Sequence, residues 1–379
     1  MSLEIVGLGW VTPLGSGICE VWQRLLAGEE ATAEPISDTT GQKPYPVFRI
    51  PHMALQDLPG HARLRRASAI SRFAAAAGVS ALHDAGLTIE EQLAKQIALV
   101  FAIANGGVIY TKRFYHDIVA SGADAASPLL FPETVFNAAA SHLAAILGIT
   151  GVSYTLVGDG AVGLSAIRMA EDLLSKDELD YCLVVGAEEA DWLLCDAYRK
   201  WRLLRSAPPI EPFHKPAKGT ILSEGAGAVL LGRKGFVKIG TIHPGTYYST
   251  RRELTEVLKG VLEELGPGGD PSVVISSANG TFIDSAEVSS ISKVLPGATI
   301  YTPKPAFGEG VGAGGVWQVI VGAQALRSNK LPPLLHAPAS LPFRIPTSSA
   351  ISSDVVILSC GLNQQVAALR MSALPAQTN

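Results

Sequence analysis

Gln96-Ile97-Ala98-Leu99-Val100-Phe101-Ala102-Ile103 is apolar from its second residue onward and stops at Asn105-Gly106-Gly107. A run with no polar alternation predicts a strand buried on both faces of a sheet, which requires helices above and below it. The chain is therefore expected to be α/β. Upstream, Ile70, Phe73, Ala74, Ala77, Val79 and Leu82 recur at helical spacing in an alanine-rich stretch from about Arg65 to Ala85, and Gly86 ends it. Downstream, Pro132 to Ile146 predicts a proline-initiated helix, and Val152 to Val157 a strand that enters the turn Gly158-Asp159-Gly160 and a helix from Val162 to Ser175. Tyr181 to Val185 and the Gly225 to Leu231 stretch predict further buried strands.

After Gly232-Arg233-Lys234-Gly235 the pattern restarts, with a strand near Val237, a helix near Thr255 to Leu265, and strands at Val273 to Ser276 and Val355 to Ser359. Two halves, 1–232 and 233–379, are expected, although the sequence shows no strict internal repeat. The length of 379 residues with 47% hydrophobic and 17% charged residues suits such a body. A net charge of -4, from 34 acids against 30 bases, argues against a nucleic-acid partner. Cys19, Cys182, Cys195 and Cys360 are far apart, with no metal-ligand spacing and no disulfide framework. No apolar stretch reaches the ~20 residues of a spanning helix, and no signal segment opens the chain, so a soluble cytoplasmic protein without membrane contact is expected.

Five stretches in the same order resemble the β-ketoacyl synthase family. Ile5-Val6-Gly7-Leu8-Gly9-Trp10-Val11-Thr12-Pro13-Leu14-Gly15 is similar to its TGxGxVTPLG opening. Ser127-Pro128 to Pro132, with Asn137 and Ser141-His142-Leu143, resembles SPxxxP…N…GHL; Glu211-Pro212-Phe213 with Gly225-Ala226-Gly227 resembles RPFD…GEGAG; Lys304 with Gly312-Ala313-Gly314-Gly315 resembles K…GH…GAAG. Ser277-Ala278-Asn279-Gly280-Thr281 resembles the N-A-H-G-T segment. The resemblance implies the thiolase-like fold: two βαβαβαββ halves in a five-layered αβαβα body.

The departures carry the functional reading. Counting from Leu147 to Gly151 and back from Gly186-Ala187-Glu188 puts Gly160 at the family's nucleophilic cysteine. Asn279 stands at the first catalytic histidine and Glu309 at the second, while Lys304 matches the family lysine. A glycine holds no acyl thioester, and asparagine exchanges no proton near neutrality. A carboxylate at the second histidine opposes the enolate formed on decarboxylation. The closing G-F-G-G-T-N gate is altered to Ser359-Cys360-Gly361-Leu362-Asn363-Gln364.

What the resemblance then implies is a subunit without condensing activity of its own, as in chain-length factors of type II polyketide systems, including compact partners of the aryl-polyene type. Those factors often carry glutamine where this chain has Gly160. The expected partners are an active ketosynthase, in a heterodimer, and an acyl carrier protein reached through that complex; no metal and no cofactor is implied. Leu129, Leu130, Phe131, Phe136, Ser153 and Thr155 would bound the acyl tunnel or the interface, or else be ordinary core residues. Arg63, Arg65, Arg66 and Arg72 would be a docking patch, or a solvated helix face. The alternatives are an enzyme of altered acyl-transfer or hydrolytic chemistry using Glu309 and Asn279, and a non-catalytic homodimeric acyl-binding protein.

Overall fold

The computed structural model describes all residues except 1, 38–43, 57, 59, 66, 267–272, 347–353 and 375–379. In chain order the first half contributes β1 (Leu3–Thr12), α1 (Ala69–Asp84), β2 (Ile97–Ile103), α2 (Val108–Ser121), α3 (Ala138–Leu147), β3 (Ser153–Val157), α4 (Val162–Leu174), β4 (Tyr181–Glu188), α5 (Trp192–Lys200) and β5 (Gly225–Gly232). The second contributes β6 (Val237–Ile242), α6 (Leu254–Glu264), β7 (Val273–Ile275), α7 (Phe282–Val294), β8 (Thr299–Tyr301), α8 (Val311–Ser328), β9 (Asp354–Cys360) and β10 (Gln365–Ala373). Shorter elements lie between them.

The strands run in the order β8-β7-β9-β10-β6-β1-β5-β4-β2-β3. Numbering the five strands of each half from one gives the order 3-2-4-5-1 in both. β2 pairs in parallel with β3 and β4, as β7 does with β8 and β9. The halves meet where β1 runs antiparallel to β6, with Ile5 opposite Val237. Helices α4 and α8 lie between the two half-sheets; α1 covers β1, β4 and β5 from outside, and α6 with α7 covers the other half. That layering is the five-layered thiolase-type fold.

Small residues make the layers possible. A Cβ on Gly7 or Gly9 of β1 would lie 2.2 or 2.1 Å from the carbonyl oxygens of Ala81 and Ala77, so the alanine-rich α1 rests directly on the strand backbone. In the central layer a Cβ on Gly163 would lie 2.8 Å from the amide nitrogen of Val316, so α4 and α8 cross with backbones almost touching. α8 is buried on all sides from Val311 to Ala325, as expected of a helix without a polar face. The buried Glu188 at the end of β4 accepts N–H bonds from Ala104, Asn105 and Gly312, tying the start of α8 to the first half.

Two sequence expectations are corrected. The helix expected from Arg65 begins at Ala69, preceded by a separate 3₁₀ turn over Ala62–Arg65. The helix expected from Pro132 is broken: Phe131–Thr134 is a 3₁₀ turn, Val135 is extended, and α3 starts at Ala138. The cause is the buried Glu133, whose carboxylate accepts the Ser68 N–H (3.2 Å) and bonds to His142 (2.6 Å). Those bonds hold the turn against the start of α1.

Candidate functional site

Gly160 lies between the end of β3 and the start of α4 and is buried. Its carbonyl accepts a hydrogen bond from Ser359 Oγ (2.9 Å). Its φ is not in the left-handed region, and a Cβ there would meet Gly361 Cα at 3.3 Å. The backbone therefore tolerates a side chain with little adjustment; glycine at this point is not a requirement of the turn.

From the second half, three residues converge. Asn279 follows β7, Lys304 opens the short helix Lys304–Phe307 after β8, and Glu309 precedes α8. Asn279 Nδ2 donates to Glu309 Oε2 at 2.7 Å, and Lys304 Nζ donates to Glu309 Oε1 at 2.5 Å. The Oδ1 of Asn279 accepts from the Thr281 hydroxyl (2.7 Å) and more weakly from its N–H. Relative exposure is 0% for Asn279, 3% for Glu309 and 4% for Lys304. Each carboxylate oxygen thus has its own donor, and the lysine charge is balanced within the cluster. A desolvated pair is tolerated when geometry and hydrogen bonds are complete, as they are here. At 3% exposure such a carboxylate is closed to a substrate proton, which a general base must reach.

Asp159 has a role that the Gly-Asp-Gly composition alone hides. Its buried carboxylate accepts N–H bonds from Asn363 (2.8 Å), Gln365 (3.4 Å) and Ala161 (3.4 Å). Burial pushes its pKa up to about 6, and the charge on Glu309 adds to the rise. It presses so closely on the turn between β9 and β10 that a Cβ on Gly361 would lie 1.9 Å from Asp159 Oδ2. No local sequence signal connects residues two hundred positions apart.

Outside this centre, a shallow cleft of about 320 Å³ is lined by Trp201, Tyr248, Arg251, Phe282 and Leu362, among others, and by none of Gly160, Asn279, Lys304 or Glu309. The Arg251 guanidinium sits 4.3 Å from the centre of the Phe282 ring, and Tyr248 donates its O–H to the Gly361 carbonyl (2.9 Å). Cys195 is a buried thiol whose pKa burial pushes up to about 12.

The residues expected at the tunnel or interface are not ordinary core. Leu129, Phe131 and Phe136 are 64%, 58% and 41% exposed, Leu130 and Thr155 are half-buried, and Ser153 is exposed. Ser153 and Thr155 lie on β3, the edge strand of the first half, where Tyr154 and Val157 are also exposed, and Phe136 lines a small cavity with Ile103 of the neighbouring β2. Arg63 and Arg65 are exposed on the 3₁₀ turn, and Arg66 lies outside the described residues. Arg72 departs from that patch: it is half-buried and faces a cleft beside Leu130 and Glu133. Another run of basic residues in the sequence, Arg199, Lys200 and Arg205, is engaged within the chain, with Lys200 paired to Asp196, Arg205 to Glu211, and Arg199 over the Tyr45 ring. Among the described residues no helix is long and apolar enough to cross a membrane.

Fused α/β halves of equal strand order around a central helical layer define a thiolase-superfamily ketosynthase body. The chain matches the descriptions "Beta-ketoacyl synthase, N-terminal domain" over residues 2–235 and "Beta-ketoacyl synthase, C-terminal domain" over residues 238–338, and it belongs to the β-ketoacyl synthase family. It is 25% identical over 366 residues, 88% of its length, to a 3-oxoacyl-[acyl-carrier-protein] synthase 2 of Coxiella burnetii, of which the match covers 87%. In structure it is similar to the ishigamide ketosynthase/chain length factor, with a TM-score of 0.85, 19% identity and 99% of each chain covered. It is also similar to a type II PKS acyl-carrier protein complex with its ketosynthase bound to the hexaketide, at a TM-score of 0.81 and 16% identity over 98% of this chain and 99% of that one.

Proposed function

We propose that this chain is a non-condensing ketosynthase-like subunit, divided into halves near residues 232 and 233, that pairs with an active ketosynthase and shapes the tunnel for a growing acyl chain. The observation that carries this reading is the closed Asn279–Glu309–Lys304 cluster beside a glycine. Condensation needs a thiolate to hold the acyl group and proton-exchanging or oxyanion-stabilising groups facing it. Here the thiolate position has no side chain, and the facing groups satisfy one another. The same saturation disfavours Glu309 as a base of altered chemistry.

Pairing is supported by the exposed edge of β3 and by Leu129, Phe131 and Phe136, since an apolar band beside an unpaired strand edge favours burial against another chain. Likeness to a ketosynthase/chain length factor agrees with it. On this reading a carrier protein reaches the complex through the active partner, with the exposed Arg63 and Arg65 as a secondary basic surface.

Co-expression with an intact ketosynthase, followed by size exclusion and mass determination, tests the proposal. A one-to-one complex is expected, with its yield falling at least tenfold in the Phe131→Asp/Phe136→Asp variant. A stable homodimer that leaves the ketosynthase unpaired, or condensation by this chain alone, would refute it.

A further inference from the structure

A cleft of about 1040 Å³ opens between the start of α1, the first turns of α2, the segment 127–133 and the start of α5. Ile109, Leu129, Leu130 and Trp192 give it apolar lining, and Arg72, Lys112, Arg113 and His116 give it basic lining. Arg72 Nε is shielded from solvent and has no hydrogen-bond partner among the described residues. None of the four basic groups has an ion-pair partner among the described residues, although the Lys112 ammonium sits 3.6 Å from the centre of the Trp192 ring.

Four acids also line the cleft, and three of them are hydrogen-bonded elsewhere. Glu133 takes the Ser68 N–H at the start of α1 and bonds to His142 of α3, and Glu189 takes the Tyr110 hydroxyl of α2 (3.0 Å) with help from the Ile70 N–H of α1. Asp191 caps α5 through the Leu193 N–H (2.9 Å). Hydrogen bonding does not discharge these acids, but neither they nor Asp117 form an ion pair with the four basic groups among the described residues. Burial also pushes the Glu189 pKa up to about 7, which lowers its mean charge near neutrality.

The cleft shares Ser68, Tyr110 and Glu133 with a small cavity bounded by Gly106, Gly107 and Phe136. It therefore borders the apolar band assigned above to subunit pairing. Arg72 Nε is closed to solvent, so a ligand in the cleft would meet the other guanidinium N–H groups of this lining residue, and a carboxylate is the acceptor whose planar geometry they fit best. The apolar lining suits methylene groups in a space of ligand size.

We propose that this cleft receives the far end of the acyl chain and selects chains whose distal terminus carries a carboxylate, with Arg72 as the principal contact. The inference rests on the pairing reading and extends it to a substrate class.

Calorimetric titration of the purified heterodimer with sebacic acid monomethyl ester and with methyl decanoate separates the two ends, since the ester mimics the uncharged thioester end in both probes. The half-ester is expected to bind at least tenfold more tightly, and Arg72→Leu to abolish that preference. Arg113→Gln, on an exposed side chain, is expected to reduce the preference two- to fivefold and serves if Arg72→Leu misfolds. Equal affinity for the two probes, or a preference unaltered in both variants, overturns the inference while the heterodimer itself stands. Failure to form any heterodimer overturns the pairing reading and this inference with it.

Discussion

The Asn279–Glu309–Lys304 cluster of the second half and the Arg72 cleft of the first are both polar regions, yet they differ in how their hydrogen bonds are spent. In the cluster every charged atom has a partner and almost nothing is exposed. In the cleft the Arg72 Nε–H is shielded without a partner, while the wider lining faces open space. A saturated polar cluster maintains a fold, whereas an unsatisfied one invites a ligand. The Asn279–Glu309–Lys304 cluster is of the first kind.

The largest effect should come from breaking the cluster. Glu309→Ala strands the Lys304 charge in the interior and should cost about 3–5 kcal/mol of stability by urea denaturation. Replacing both charged partners, as in K304M/E309L, should recover part of that loss, because the desolvation cost goes with the attraction, while the buried Asn279 Nδ2 left without its acceptor should still cost about 1–3 kcal/mol. If the double substitution is as damaging as the single one, the cluster does more than hold the fold.

Next in size is the contact between Asp159 and Gly361. Gly361→Ala should destabilise by about 1–3 kcal/mol through overpacking, and Asp159→Ala should recover much of the loss in the double variant, a coupling measurable in a double-mutant cycle. Additive losses would show that Asp159 does not press on that turn.

A smaller effect is expected from pH. Burial raises Glu188, Glu189 and Glu287 to about 7, and Asp159 and Asp284 to about 6, from ordinary values of 4.5 and 3.8. Between those limits the folded chain holds protons that the unfolded chain has released, so stability falls as pH rises from about 4 to 7 and then levels off. Glu133, held below its ordinary value mainly by hydrogen bonds from His142 and Ser68 against the opposing effect of burial, works in the other direction. The urea midpoint at pH 5.5 should therefore exceed that at pH 7.5; the reverse order would mean that these carboxyls are hydrated in the native state.

Smallest of all should be the stability change in Arg72→Leu, within about 0.5–1 kcal/mol, because no ion pair is lost. A loss as large as that of Glu309→Ala would place Arg72 in the frame of the fold and erase the contrast between the two regions.

Much of this was legible beforehand. The apolar run at Ile97–Ile103 is a strand buried along its whole length, and the turn holding Gly160 joins a strand to a helix as its composition implies. The broken helix after Pro132 was not legible, since the bond that breaks it runs from Glu133 to Ser68, 65 residues away. Nor was the exposure of Leu129, Phe131 and Phe136, because an apolar residue at an interface has the same composition as one in a core.

The sequence by itself determined the periodicities, the small residues that let backbones touch, and the absence of a cysteine and of histidines at three ordered positions, because these are local or countable. Only the tertiary structure decided that two halves without a sequence repeat share one strand order, that Asn279, Lys304 and Glu309 satisfy one another, and that Asp159 pins the turn before β10. Hydrogen bonds between residues far apart in the chain depend on how layers stack, and stacking is a property of the whole fold rather than of any segment.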